Sequence, residues 1–161
     1  MTQVLVILLA LLIGVVAGLR AMTAPAVVAW GAFLGWIDVD GKWSEWVAHP
    51  ITVTVLTIFL LVELVTDQLP KTPSRKTPPQ FTVRLITGAF AGAVIGSAYF
   101  HWGFSAAGAG IVGAVLGTLG GAALRQRLSA ANDGRDKPGA FLEDAIAVGG
   151  GFLVVFLVSL V

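Results

Sequence analysis

Apolar residues in this chain come in long runs separated by short polar stretches. Six runs approach the about 20 mostly apolar residues that a bilayer-crossing helix needs: Val4–Leu19, Ala21–Trp36, Pro50–Thr66, Leu85–Trp102, Phe104–Leu124 and Ala140–Val161. The first two hold 16 residues each, which reach about 24 Å, short of a hydrocarbon core of about 30 Å. Only Arg20 separates them, and Pro25 follows at a place where a helix can begin but not comfortably continue. The pair is either a tight hairpin or a broken, re-entrant element, with Thr23 and Pro25 as backbone hinge candidates. The stretch Gly41 to Trp46 carries two tryptophans and suits a membrane interface. The stretch from Gln68 to Gln80 holds Pro70, Pro73, Pro78 and Pro79 and predicts an extended loop without regular helix.

Composition agrees with the runs. Of 161 residues, 57% are hydrophobic and only 12% charged, against about 25% charge in soluble domains; the mean hydropathy is +0.89. A soluble enzyme, a disordered chain and a nucleic-acid binder are excluded on these figures, the last because a net charge of +1 leaves no basic face. With no cysteine, thiolate chemistry and disulfides are absent. No metal-binding histidine spacing, phosphate-binding glycine loop or Ser/His/Asp arrangement occurs, so no enzymatic activity is expected, and no cofactor beyond a bound metal cation. The leader Met1-Thr2-Gln3 has no positive charge and Gly18-Leu19-Arg20 is a poor cleavage site, so the first run reads as a retained helix.

The basic residues check the count. With six crossings, the connections 1–2, 3–4 and 5–6 share one side, and nine of the ten Lys and Arg fall there; Lys42 alone lies opposite, with Asp38, Asp40 and Glu45. By the positive-inside rule the basic side is cytoplasmic and both termini are outside. The predicted class is all-α: a single polytopic transmembrane bundle over 1–161, of about six segments, some short or broken.

Glycines recur at helical spacing: Gly14 and Gly18, Gly31 and Gly35, Gly92 and Gly96, then Gly113, Gly117 and Gly121. Spacing of four puts them on one face and lets helix backbones approach closely. Gly-Ala-x-Leu-Gly occurs at Gly31–Gly35 and again at Gly113–Gly117, as expected if 1–80 and 81–161 were inverted three-helix repeats. Inversion would place the partner of Glu63 late in segment 6, which is wholly apolar.

The charges within these runs are the candidate chemistry, since each costs about 2.5–3.5 kcal/mol at a helix centre. Glu63 and Asp67 share one face near the end of segment 3, Glu143 and Asp144 lie in the first turn of segment 6, Arg20 ends segment 1 and Arg84 opens segment 4. Four carboxylates against two guanidiniums leave a formal surplus of two negative charges. One reading is a cation or proton site entered from the cytoplasm, because carboxylates take hard metal ions and can share a proton. The others are a structural ion-pair cluster and an anion site at Arg20 and Arg84. Gly149-Gly150-Gly151 interrupts segment 6 and can either unwind to offer carbonyls or pack against a neighbour. The basic stretch with Lys71, Ser74, Arg75 and Lys76 either sets topology or binds lipid phosphates or a phosphorylated solute. Thr52, Thr54 and Thr57 are expected to bond back to their own helix.

Several blocks together carry a family resemblance: Gly18-Leu19-Arg20-Ala21-Met22-Thr23-Ala24-Pro25 running to Trp30, Glu63-Leu64-Val65-Thr66-Asp67-Gln68-Leu69-Pro70-Lys71-Thr72-Pro73-Ser74-Arg75, Arg84 with Gly88-Ala89, Gly117-Thr118-Leu119-Gly120-Gly121 up to Arg125, and Glu143-Asp144-Ala145-Ile146-Ala147-Val148-Gly149-Gly150-Gly151. The set resembles small bacterial membrane proteins of domain-of-unknown-function family 4126, over nearly the whole chain. That resemblance implies a bacterial inner-membrane location and brings no activity. Asp144-Ala145-Ile146-Ala147 is also similar to the acidic motif of three-plus-three manganese exporters, whereas Glu63 and Asp67 are spaced differently from those proteins' other repeat.

The expected function is a small transporter or channel for a cation or protons, with Glu63, Asp67, Glu143 and Asp144 as binding or metal-ligating groups and Arg20 as internal counter-charge. A non-transporting scaffold or anionic-lipid binder using the 71–76 loop is the alternative, and an anion or solute transporter using Arg20 and Arg84 the third. The lipid bilayer, a small ion and a second copy of the chain are the expected partners.

Overall fold

Six α-helices and one short 3₁₀ turn make up the computed structural model, which describes residues 2–67, 77–99, 103–131 and 137–161. They are α1 (Thr2–Leu19), α2 (Thr23–Phe33), α3 (Pro50–Thr66), α4 (Pro78–Tyr99), α5 (Phe104–Ala131) and α6 (Lys137–Val158), with the 3₁₀ turn at Glu45–Ala48. No strand occurs among the described residues.

Several boundaries differ from the sequence reading, each for a local reason. Segment 2 stops at Phe33 because Gly35 takes a left-handed φ of 75°. The Gly35 amide then bonds to the Ala32 carbonyl and that of Trp36 to the Gly31 carbonyl, closing a Schellman motif. Pro78 and Pro79, read as loop, open α4, where prolines lose no hydrogen bond because first-turn amides have no intrahelical partner. Helix α5 runs on to Ala131, past the apolar run, and α6 begins at Lys137. Glu143 and Asp144 therefore stand beyond the first turn of α6, not within it as the apolar run suggested. The glycine run 149–151 does not interrupt α6: Gly149 and Gly150 face open space, while a methyl at Gly151 would touch Val27 at 3.1 Å.

Glycines set the packing of α1, α4 and α5, the closest-packed trio. A Cβ on Gly14 would penetrate the Gly110 carbonyl, one on Gly113 the Leu11 carbonyl and one on Gly92 the Ala106 carbonyl. These contacts order α1 and α5 parallel and α4 antiparallel to both. Helix α6 runs beside α2, with Gly151 at Val27 and Val155 at Gly31. Helix α3 returns along α2, where the Trp30 indole donates to Thr57 at 3.0 Å. The helices thus alternate in direction, gathering the ends of α1, α3 and α5 and the starts of α2, α4 and α6 at one pole.

The two copies of Gly-Ala-x-Leu-Gly do different work. Gly113 and Gly117 both pack backbone against backbone in mid-helix, whereas Gly35 terminates a helix and touches nothing within 4 Å.

Large apolar side chains cover the outside: Phe104 is 76% exposed, Ile51 67% and Val65 66%. Only Val53 and Leu60 of α3 are buried, and that helix rests chiefly on α2 and the 3₁₀ turn. Such continuous apolar surface is foreign to soluble monomers and suits hydrocarbon. Helices α4, α5 and α6 are long and apolar enough to cross a membrane; α1, α2 and α3 are apolar but shorter.

Candidate functional site

The chain breaks between α1 and α2 at Arg20, Ala21 and Met22. A break inside an apolar bundle exposes orphan carbonyls at one helix end and orphan amides at the other. Local capping does not meet this need, since the N-cap residue of α2 is Met22, which supplies no side-chain bond. Charged residues distant in sequence meet it instead. Glu63 of α3 accepts from the Ala21 amide at 2.7 Å and the Met22 amide at 2.8 Å, one on each carboxylate oxygen. Arg84 of α4 donates to the Gly18 carbonyl at 2.7 Å and the Leu19 carbonyl at 2.8 Å. Each charge has the sign that complements the helix end it caps.

Arg20 is the hub. It has no exposed surface, its Nη1 donates to Asp67 of α3, and its Nη2 pairs with Asp144 of α6 at 2.5 Å. Two carboxylates from different helices therefore converge on one guanidinium, whose planar fork suits such pairing. Glu143 pairs with Arg125 of α5 at 3.9 Å. Among the described residues three guanidiniums thus face four carboxylates, so the surplus there is smaller than the sequence suggests. Arg125 was missed because the apolar run ends at Leu124, although the helix does not.

Two polar atoms at the break have no hydrogen-bond partner among the described residues: Arg20 Nε and Thr23 Oγ1, both on side chains with no exposed surface. A buried, unsatisfied hydroxyl costs about 1–3 kcal/mol. Thr118 of α5 adds a hydroxyl near the break, donating to Ala114 at 2.8 Å and Gly18 at 3.3 Å. Sequence reading passed over Thr118; its signal was its position, one helical turn before Gly121 on the face that carries Gly113 and Gly117.

The structure therefore brings all six predicted residues, Arg20, Glu63, Asp67, Arg84, Glu143 and Asp144, to one pole. It does not gather the four carboxylates as metal ligands: no group of three or more acids or histidines placed to hold a metal occurs among the described residues. Thr23 and Pro25 lie in the first turn of α2 rather than at an unwound hinge. The predicted lipid-contact residues Lys71, Ser74, Arg75 and Lys76 lie outside the described residues. Of the threonines on α3, Thr54 and Thr57 bond back to Pro50 and Val53 as expected, while Thr52 reaches Trp46 in the 3₁₀ turn.

The opposite pole is less charged. A groove of about 820 Å³ lies between residues 41–43, α4 and the start of α5, with Phe90, Tyr99 and Phe104 in its walls. The Lys42 ammonium is held by the Asp38 carboxylate at 2.9 Å, which keeps that exposed acid below its ordinary pKa. Tyr99 donates to the Val158 carbonyl at 2.6 Å, tying α4 to α6.

Fold and site define an apolar helical bundle with a buried ion network at a helix break. The chain belongs to the family described as Domain of unknown function (DUF4126), whose model matches residues 7–161. No curated protein and no solved structure matches it, and the similarity to manganese exporters finds no support in these comparisons.

Proposed function

We propose that the protein is a small, non-enzymatic membrane transporter or channel for protons or cations, working through the carboxylates at the α1–α2 break. The observation that carries this reading is the fully buried Arg20, neutralised by acids from two different helices. Buried charges in a bundle of this kind are costly and mark ion pathways. Among the described residues, two contacts at the α3 end are made by carboxylates, Glu63 on the α2 amides and Asp67 on Arg20. Protonating them would release the end of a helix that otherwise rests chiefly on α2. A proton could thereby alter access to the break.

On this reading the charged pole faces the cytoplasm of a bacterial inner membrane and both termini face outward. The chain acts as a homodimer, because six helices, three of them short, enclose little volume alone. The test is flux in proteoliposomes. Wild-type protein should carry protons, read by a trapped pH-sensitive dye, or one of several cations. Glu63→Gln should cut that flux at least about tenfold, the scale of one lost charge-assisted contact. Flux no greater than in empty vesicles, for protons and every cation tried, would sink the reading.

A further inference from the structure

The α2 N-terminus is an anion-binding site in geometry, two amides aimed at one carboxylate. What occupies it is a side chain of the protein itself, 41 residues or more away in sequence. No local cap competes: the N-cap residue is Met22, and the hydroxyl of Thr23, the first residue of α2, bonds to nothing among the described residues. That hydroxyl is wholly buried, as is the unpartnered Arg20 Nε three residues earlier. Within the segment Arg20 to Thr23, Glu63 engages two backbone amides, while two buried side-chain donors, Arg20 Nε and Thr23 Oγ1, are unmet among the described residues. Glu63 is only half-buried, so the site is within reach of the polar pole.

We propose that this segment is a seat for a small external carboxylate, which Glu63 fills in the resting protein and vacates when protonated. The proton on Glu63 and the incoming anion enter together, so the charge of the cluster is unchanged by the exchange. The surrounding charges fit that balance. Arg84 of α4 and Arg20 remain as cations beside the seat, with Asp67 of α3 and Asp144 of α6 still neutralising Arg20. Glu143 of α6 is directed to Arg125 of α5 and stays out of the exchange. A proton-driven carrier of small carboxylates is the substrate class this gives. The proton linkage rests on the function proposed above; the seat itself does not.

The experiment is chemical rescue. Purified Glu63→Ala, folded by circular dichroism, is heated in potassium formate or in potassium chloride of equal ionic strength. Formate at about ten times its Kd should raise the Tm saturably by about 3–5 °C, and chloride should not. No saturable rise with formate, or the same rise with chloride, overturns the carboxylate seat. If Glu63→Ala does not fold, wild type is titrated with formate between pH 7 and pH 4.5. Stabilisation should then appear only on the acid side, and its absence throughout that range overturns the proposal. Rescue without flux of protons or any cation tried would keep the seat and remove the transport reading; flux without rescue would do the reverse.

Discussion

Arg20 shows how much one side chain can carry. It closes α1, receives Asp67 and Asp144, and is fully buried while doing so. Removing one member of a buried ion cluster leaves the others desolvated and unpaired, which costs about 3–5 kcal/mol. Arg20→Gln should therefore lower the Tm of the purified protein markedly. Arg20→Lys should recover only part of the loss, because an ammonium lacks the fork that reaches two acids at once. A Tm for Arg20→Gln equal to wild type would mean that the network contributes nothing to stability. Arg84 adds a different contact, since it donates to the Gly18 and Leu19 carbonyls at the end of α1.

Among the elements, α1, α4 and α5 are locked by backbone contact, while α3 is held at its end by two carboxylates. Within α5, which holds a packed and an open glycine, the same substitution should give opposite results. Gly113→Ala would drive a methyl into the Leu11 carbonyl, so α1 and α5 must separate and the Tm should fall. Gly120→Ala has nothing within 4 Å to meet and replaces the poorest non-proline helix former. It should leave stability unchanged or raise it by about 0.5–1 kcal/mol. Thermal melts of the two variants side by side decide the matter, and equal destabilisation would refute the packing argument. The glycine spacing predicted close packing correctly for α1, α4 and α5. It misjudged Gly35, because spacing alone cannot separate a packing glycine from one chosen for a left-handed φ.

For the whole molecule, alternating helix directions place the ion network at one pole and residues 38–49 at the other. The chain has no cysteine, so a single introduced thiol reports on one position without interference. In sealed, oriented vesicles Lys42→Cys and Arg127→Cys should react with a membrane-impermeant reagent from opposite sides, Arg127→Cys from the cytoplasmic side. Labelling of both from the same side would overturn the orientation. The apolar belt between the poles is what the low charge content implies, because polar side chains are too few to cover the surface.

The sequence alone determined the helical class, the apolar runs and which six charged residues fall within or beside them, since each rests on local composition. Tertiary structure decided what those charges touch. That Glu63 caps a helix more than 40 residues upstream, and that Arg84 serves the end of α1, depends on which helices lie side by side. Arg125 and Thr118 entered the site only because α5 continues beyond its apolar run and packs along α1. The unfilled donors at Thr23 and Arg20 belong to that same level: satisfaction of a hydrogen bond is a property of neighbours, and neighbours are set by the fold.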